Sequence, residues 1–194
     1  MHTLLRIDSS IRIQDSYSRR MGDYFVSQWT LKHSNGTILE RDMARAMLPH
    51  LSQNTVNGFF DDSIFSEELS LSDELIEELY QSSEILITCP MYNYGIPSSL
   101  KAYFDLIVRT KKTFTADSGI KGLLHHKKAH IISVMGGVHS VPGGMNPLEI
   151  HVTSILNHLG ITDISYFPLE GTAFPQDLSE KTKSVETLIC KHLN

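Results

Sequence analysis

The sequence predicts an α/β fold in which one parallel sheet is covered by helices on both faces, and three observations carry that expectation. Short apolar runs rich in branched and aromatic side chains recur along the whole chain. Between them lie stretches whose apolar positions repeat at three and four residues, the spacing of one helix face. Alternation of this kind is what parallel strands joined by crossover helices require. The 194 residues, 41% hydrophobic and 20% charged, also suit one core, so a single domain over 1–194 is expected.

Taken in order, the first strand is TLLRID (3–8), followed by a helix over 18–33 with Met21, Phe25 and Trp29 inward. TILERD (37–42) is the second strand. An excursion, 43–68, carries Phe59, Phe60 and Phe65 in an acidic, polar setting and reads either as a lid or interface or as a loop whose phenylalanines plug the core beneath it. A helix over 66–82, with Leu75, Ile76, Leu79 and Tyr80 inward, leads to the third strand, EILITC (84–89). Leu100, Tyr103, Phe104, Ile107 and Val108 mark the next helix, and a second excursion spans 110–124. AHIISVM (129–135) is the fourth strand. Leu148, Val152, Ile155, Leu156 and Leu159 mark the fourth helix, DISYFPL (163–169) is the fifth strand, and a helix over 176–193 with Val185, Leu188 and Ile189 closes the chain. Five parallel strands with right-handed crossovers leave few arrangements; the common three-layer solution is the flavodoxin-like order 2-1-3-4-5.

Several function classes are disfavoured. A formal charge of −5 argues against a nucleic-acid partner. No apolar run reaches the roughly 18 residues of a membrane span, and MHTLLRIDSS lacks a signal peptide's apolar stretch, so no membrane partner and a cytoplasmic location are expected. Cys89 and Cys190 read as buried, unpaired thiols. No histidine or cysteine spacing suggests a metal, and neither H-E-x-x-H nor G-x-S-x-G occurs.

Ligands of such sheets bind beyond the carboxyl ends of the strands, where strand order reverses. Three loops meet that description. The first, DSSIRIQDSYSRR (8–20), places Ser9, Ser10, Ser16 and Ser18 ahead of a helix and contains no G-x-G-x-x-G. Hydroxyls and amides at a helix N-terminus suit a single terminal phosphate, so this reads as a mononucleotide loop, with Arg12, Arg19 and Arg20 as candidate supporting charges. Ser16 or Ser18 as a simple helix cap accounts for one serine only. In the second loop Pro90 ends the strand, and Asn93-Tyr94-Gly95 suit a turn of unusual backbone conformation. Pro97, with Ser98 or Ser99, starts the next helix. A planar ring laid here would meet Met91, Tyr92 and Tyr94; the alternative is that the tyrosines pack on the following helix. The third loop, MGGVHSVPGG (135–144), pairs Gly136 with Gly137 for close backbone approach, while Gly143 and Gly144 suit a plain turn. His139 reads as a charge-neutralising group or a loop cap.

PMYNYGIPSSLKAYFDLIVR (90–109), SSIRIQDSYSRRMGDYFVSQW (9–29), MGGVH (135–139), LGITDI (159–164) and EGTAF (170–174) together resemble the FMN-dependent NADH azoreductases, flavodoxin-like quinone reductases of bacteria. The resemblance covers nearly the whole chain. It implies a homodimer with one non-covalent FMN per subunit and substrate meeting the flavin at the dimer interface. Ser10, Ser16, Tyr17 and Ser18 then fall on the phosphate loop, Met91, Tyr92, Asn93 and Tyr94 on the isoalloxazine loop, and Gly136 and Gly137 at the pyrimidine end. Phe114 and His139 are candidates for the substrate side. Departures exist: Val134-Met135 stands where many relatives read Ser-Arg, Ala116 stands where a second aromatic is frequent, His158 replaces an apolar residue, and 52–66 is short.

The activity implied is two-electron reduction of quinones, and of azo compounds, by NADH or NADPH in a ping-pong exchange through FMN. No side-chain nucleophile or metal is required, because the cofactor performs the chemistry. Two alternatives are a flavodoxin-like electron carrier, which calls for a strongly acidic docking surface, and a non-catalytic FMN-binding or sensor protein that has kept only the fold.

Overall fold

A computed structural model of the chain describes residues 2–117, 119–139 and 146–194. Its strands are β1 (Thr3–Asp8), β2 (Thr37–Asp42), β3 (Glu84–Pro90), β4 (Phe114–Thr115), β5 (Lys121–Gly122), β6 (Lys128–Val134) and β7 (Asp163–Leu169). Five pair in parallel in the order β2-β1-β3-β6-β7, while β4 and β5 form a separate antiparallel ribbon. With the ribbon set aside this is the expected order 2-1-3-4-5. The helices are α1 (Tyr17–Lys32), α2 (Gln53–Gly58), α3 (Glu67–Gln81), α4 (Ser98–Ile107), α5 (Pro147–His158) and α6 (Leu178–Leu193). None of the described helices is long and apolar enough to cross a membrane.

Alternation along the strands builds two cores. Leu4, Leu86, Ile132 and Phe167 point to one face, where they meet Met21, Phe25 and Trp29 of α1 and Val185 and Ile189 of α6. Their neighbours Leu5, Ile7, Ile85, Ile87 and Ile131 point to the other, against Leu75 and Leu79 of α3, Leu100 and Phe104 of α4, and Val152 and Leu156 of α5. A period of two in the strands thus sends successive side chains into different layers. The central β3 is buried at every position, whereas the edge strand β2 is nowhere fully buried.

Helix ends follow the local chemistry. Ser16, Ser52, Ser66 and Asn146 cap α1, α2, α3 and α5 by accepting an amide hydrogen from the third residue onward. Pro147 sits in the first turn of α5, where no amide hydrogen is needed. At the far end of α3, Lys127 donates to the carbonyls of Tyr80 (3.1 Å) and Ser82, placing a cation against the negative end of the helix. The start of α4 differs from expectation: Pro97 occupies the cap position and neither Ser98 nor Ser99 supplies a side-chain cap bond.

Other expectations need correction. The 43–68 excursion contains α2, whose signal was Ser52 three residues before Thr55. Its phenylalanines do not plug the core: Phe60 and Phe65 are 75% and 89% exposed, and Phe59 lies under the Arg109 guanidinium, 4.7 Å from its carbon to the ring centre. Tyr80 faces outward and donates its hydroxyl to Lys112 O at 2.5 Å, and Leu188 is also exposed. Of the two unpaired thiols Cys89 is buried and Cys190 is half-buried.

The ribbon is held by backbone contact with the end of α5. A Cβ on Gly122 would stand 2.0 Å from Gly160 N and 2.1 Å from Leu159 C. Those atoms belong to a chain that Gly160, at φ +94, has already turned sharply. Gly122→Ala is expected to lift the ribbon and destabilise the protein by about 2 kcal/mol or more, read from a urea unfolding curve. An unchanged midpoint would contradict this packing.

Candidate functional site

β1, β3 and β6 end side by side at Asp8, Pro90 and Val134, so the loops that follow them converge at one edge of the sheet. Between these loops lies a cavity of about 300 Å³. Ser10, Arg12, Ser16, Tyr17 and Ser18 line it from the first loop and the start of α1; Pro90, Met91 and Tyr92 line it from the second; Val134 and Gly136 come from the third. An adjoining trough of about 970 Å³ shares Met91 and Tyr92 and is walled by Ile11, Met43, Met47 and Ile96. The smaller cavity is hydroxyl-rich at the helix end and apolar where it opens toward the trough.

Each hydroxyl has a distinct setting. Ser16 caps α1, its Oγ accepting from Arg19 N at 3.4 Å, and lies 3.1 Å from Ser18 Oγ. Ser10 Oγ accepts from Arg12 N at 3.2 Å and lies 3.3 Å from the Tyr92 hydroxyl, which joins the first loop to the second. Ser9 turns away from the cavity and donates to Thr88 O at 2.8 Å, tying the end of β1 to β3. With the positive end of the α1 dipole behind them, Ser10, Ser16 and Ser18 form an anion-accepting corner. Arg12 and Asp15 also line the cavity, and the Asp15 backbone is left-handed at φ 53.

Arg19 has a different task from the one its charge suggests. It makes two 2.7 Å bonds to the Asp42 carboxylate at the end of β2, donates to Ser10 O at 2.7 Å, and donates to Arg12 O at 2.8 Å. One guanidinium therefore clamps the loop backbone to the edge strand and is turned from the cavity. Arg20 stacks over Tyr17. Beneath them Arg6 pairs with Asp8 at 2.9 Å, and Thr88 Oγ1 donates to Asp8 Oδ1 at 2.6 Å. Hydrogen bonds from Arg19 hold the Asp42 carboxyl below its ordinary range, overcoming the upward push of burial, with the Ala44 amide helping.

The second loop adopts the expected unusual turn. Tyr92 and Gly95 exchange backbone bonds of 2.9 and 3.0 Å, and the residues between, Asn93 and Tyr94, both have positive φ, 50° and 65°. Such a pair defines a primed two-residue turn. An aromatic residue in that region costs about 1–2 kcal/mol, so the strain is held by its surroundings. Met91 N donates to Val134 O at 2.8 Å, fixing the turn to β6. Met91, Tyr92 and Asn93 line the cavity or the trough, whereas Tyr94 is 76% exposed and meets the edge of His139 at 5.6 Å.

Gly136 lies on the cavity rim, and Gly137 and His139 do not line it. The His139 amide donates to Glu170 Oε1 at 3.1 Å. Gly143 and Gly144 lie outside the described residues. Phe114 belongs to the ribbon, meets the His158 ring at 4.5 Å in a tilted contact, and does not line the cavity. A fourth loop completes the wall: Thr172 and Ala173 line the cavity, and the amides of residues 171, 172 and 173 donate to the carbonyls of Gly137, Met135 and Gly136. The only sequence signal for this wall was the EGTAF segment after the fifth strand.

The sheet order, and a cavity at the point where that order reverses, define a flavodoxin-like α/β protein. Residues 2–191 match the family described as the flavodoxin-like fold, and the chain belongs to that family. It is 38% identical over 181 residues to the FMN-dependent NADH:quinone oxidoreductase of Hydrogenovibrio crunogenus, covering 89% of this chain and 90% of that protein. It is 37% identical over 190 residues to the protein of the same name from Shigella flexneri, covering 95% and 94%. In three dimensions it is similar to an azoreductase from Bacillus anthracis, with a TM-score of 0.89 at 23% identity over 100% of this chain and 99% of that one. A second Bacillus anthracis structure, an FMN-dependent NADH-azoreductase in complex with FMN, aligns with a TM-score of 0.85 at 22% identity, covering 100% of both chains.

The Arg19 clamp makes the site sensitive to acid. Because the folded pKa of Asp42 lies below its unfolded value of about 3.9, its contribution to stability is full above that value and is lost as pH falls through the depressed one. Asp42→Asn is expected to be less stable than wild type at neutral pH. The difference should shrink as pH falls below about 4, measured by thermal unfolding across a pH series. A difference that does not change with pH would contradict the clamp.

Proposed function

We propose that this chain is an FMN-dependent oxidoreductase that uses NADH, or NADPH, to reduce quinones and azo compounds by a ping-pong exchange. The observation that carries this reading is the cavity itself, with an anion-accepting corner at the N-terminus of α1 and an apolar mouth opening onto a wide trough. At about 300 Å³ it is at the low end for a small-molecule site, and the neighbouring trough leaves room for a second planar ligand. Its donor set fits FMN: hydroxyls and helix amides for one terminal phosphate, a thioether and a phenol for a flat ring, and a glycine rim. Both relatives compared over nearly the whole chain carry FMN and NADH:quinone in their names.

FMN bound there would supply the redox chemistry, a two-electron exchange between nicotinamide and acceptor in separate half-reactions. The protein's part is binding and orientation. Ser10, Ser16 and Ser18 hold the phosphate, with Tyr17 beside them and Arg12 adding charge. Met91, Tyr92, Asn93 and Tyr94 form the ring-facing turn. Gly136, on the rim, gives the ring's polar edge a backbone approach free of side chains, and Gly137 follows it in the same loop without lining the cavity. Phe114 and His139 belong to the substrate side, Phe114 from the opposite subunit of a homodimer. Met47, exposed on the trough wall, and the exposed Phe60 and Phe65 supply apolar surface for that pairing. Use of NADH as reductant supports a cytoplasmic location for the chain, read as a single domain.

Anaerobic spectroscopy of FMN-loaded protein tests the reading. NADH is expected to bleach the flavin bands within the time of one turnover, and a benzoquinone to restore them; bands that do not respond to either nicotinamide would instead indicate a carrier or sensor. A variant separates site from scaffold. A Cβ on Gly136 would meet only Ala173 Cβ, at 3.8 Å, an ordinary contact. Gly136→Ala is therefore expected to leave the unfolding midpoint of the apoprotein unchanged while weakening FMN about tenfold, as measured by fluorescence quenching.

A further inference from the structure

At the opposite end of the sheet from the cavity, three potential metal ligands converge from distant parts of the chain. His2 precedes β1, His33 is the residue that ends α1, and Glu84 opens β3. One ligand atom from each lies within 4.8 Å of the others. We propose that His2, His33 and Glu84 form a binding site for a divalent transition metal of the zinc type, which clips the amino-terminal segment to α1 and β3.

Two imidazoles and a carboxylate suit borderline-soft divalent cations, with a fourth position left to water. The His33 Nε2 to Glu84 Oε1 separation is 3.7 Å. That is too long for a hydrogen bond yet close to the roughly 3.3 Å between two ligand atoms on a tetrahedral zinc. His2 and His33 rings lie 4.1 Å apart, so the remaining closure is a small side-chain rotation of the exposed His2. Its backbone is already fixed, because His2 O accepts from Thr37 N at 2.9 Å.

The surroundings act as an outer shell. His130 Nε2 lies 2.9 Å from Glu84 Oε2, orienting the carboxylate and leaving Oε1 toward His33. Burial pushes the Glu84 carboxyl up, but hydrogen bonds from His130 and Trp29, with the charges of His130 and His33, outweigh it and hold it below its ordinary range. His33 stands at the C-terminal end of α1, the end of a helix dipole that favours a cation. Of the nearby cations, the Lys32 ammonium is directed to Leu193 O and Lys128 is exposed. Local spacing could not reveal such a site, because each ligand belongs to a different element.

The test uses FMN-loaded, tag-free protein and zinc ions with a competing chromogenic chelator. Wild type is expected to take up one zinc per chain and to melt several degrees higher with zinc present. His2→Ala, at an exposed position, should weaken uptake more than about tenfold and abolish the thermal shift, as should Glu84→Gln. His125→Ala/His126→Ala, which removes an exposed histidine pair elsewhere, should keep both. Co2+ should give the intense visible bands of a tetrahedral centre in wild type and lose them in His2→Ala. Absence of saturable uptake, uptake retained by His2→Ala, or uptake lost with the 125–126 pair would each overturn the proposal.

Discussion

Parallel pairing of β1 with β2 on one side and β3 on the other is the constraint on which the site depends. Because the chain leaves β1 toward one neighbour and later returns to the other, the loops at its carboxyl end part and leave a crevice. The carboxyl end of β1 is held to its neighbours by side-chain as well as backbone bonds. Ser9 and Asp8 bond to Thr88 of β3, and Met43 N donates to Asp8 O, which joins the end of β1 to the chain leaving β2. The Arg6–Asp8 and Arg19–Asp42 pairs then lie under the loop itself. Charges buried in this way contribute more to geometry than to net stability, since removing water from them offsets much of their attraction.

Much of this was legible in the sequence. Strand order, the serine-rich start of α1, the turn at 93–95 and the glycine at 136 all depend on local chemistry or on periodicity. These signals survive folding because their causes act within a few residues. Ser16 caps α1 for the same reason that any serine in that position would. Asn93 reaches positive φ readily, and Gly95 closes the turn behind it.

What escaped the sequence depends on distance. Arg19 reads in the sequence as a candidate supporting charge beside Arg12 and Arg20, and only the position of Asp42, 23 residues away, reveals it as a backbone clamp. Thr172 and Ala173 join the cavity because β7 pairs with β6 and carries its loop beside Gly136. Phe60 and Phe65 resemble core residues by type, yet the short α2 turns the chain so that both stay on the surface. His2, His33 and Glu84 share no local pattern and meet only because β1 lies beside β3 and α1 ends over them. The two ends of the sheet thus gather different groups: amides and hydroxyls at the carboxyl ends of the strands, imidazole and carboxylate at the amino ends.

The measurement that bears most directly on the central claim compares the affinities of FMN, riboflavin and FAD for the apoprotein under one set of conditions. A corner built from Ser10, Ser16, Ser18 and the α1 N-terminus for one terminal phosphate requires FMN to bind at least about a hundredfold tighter than riboflavin, which lacks the phosphate. It also requires FMN to exceed FAD, which has no terminal phosphate to place in that corner. Equal binding of riboflavin, or tighter binding of FAD, would contradict the assignment of this cavity.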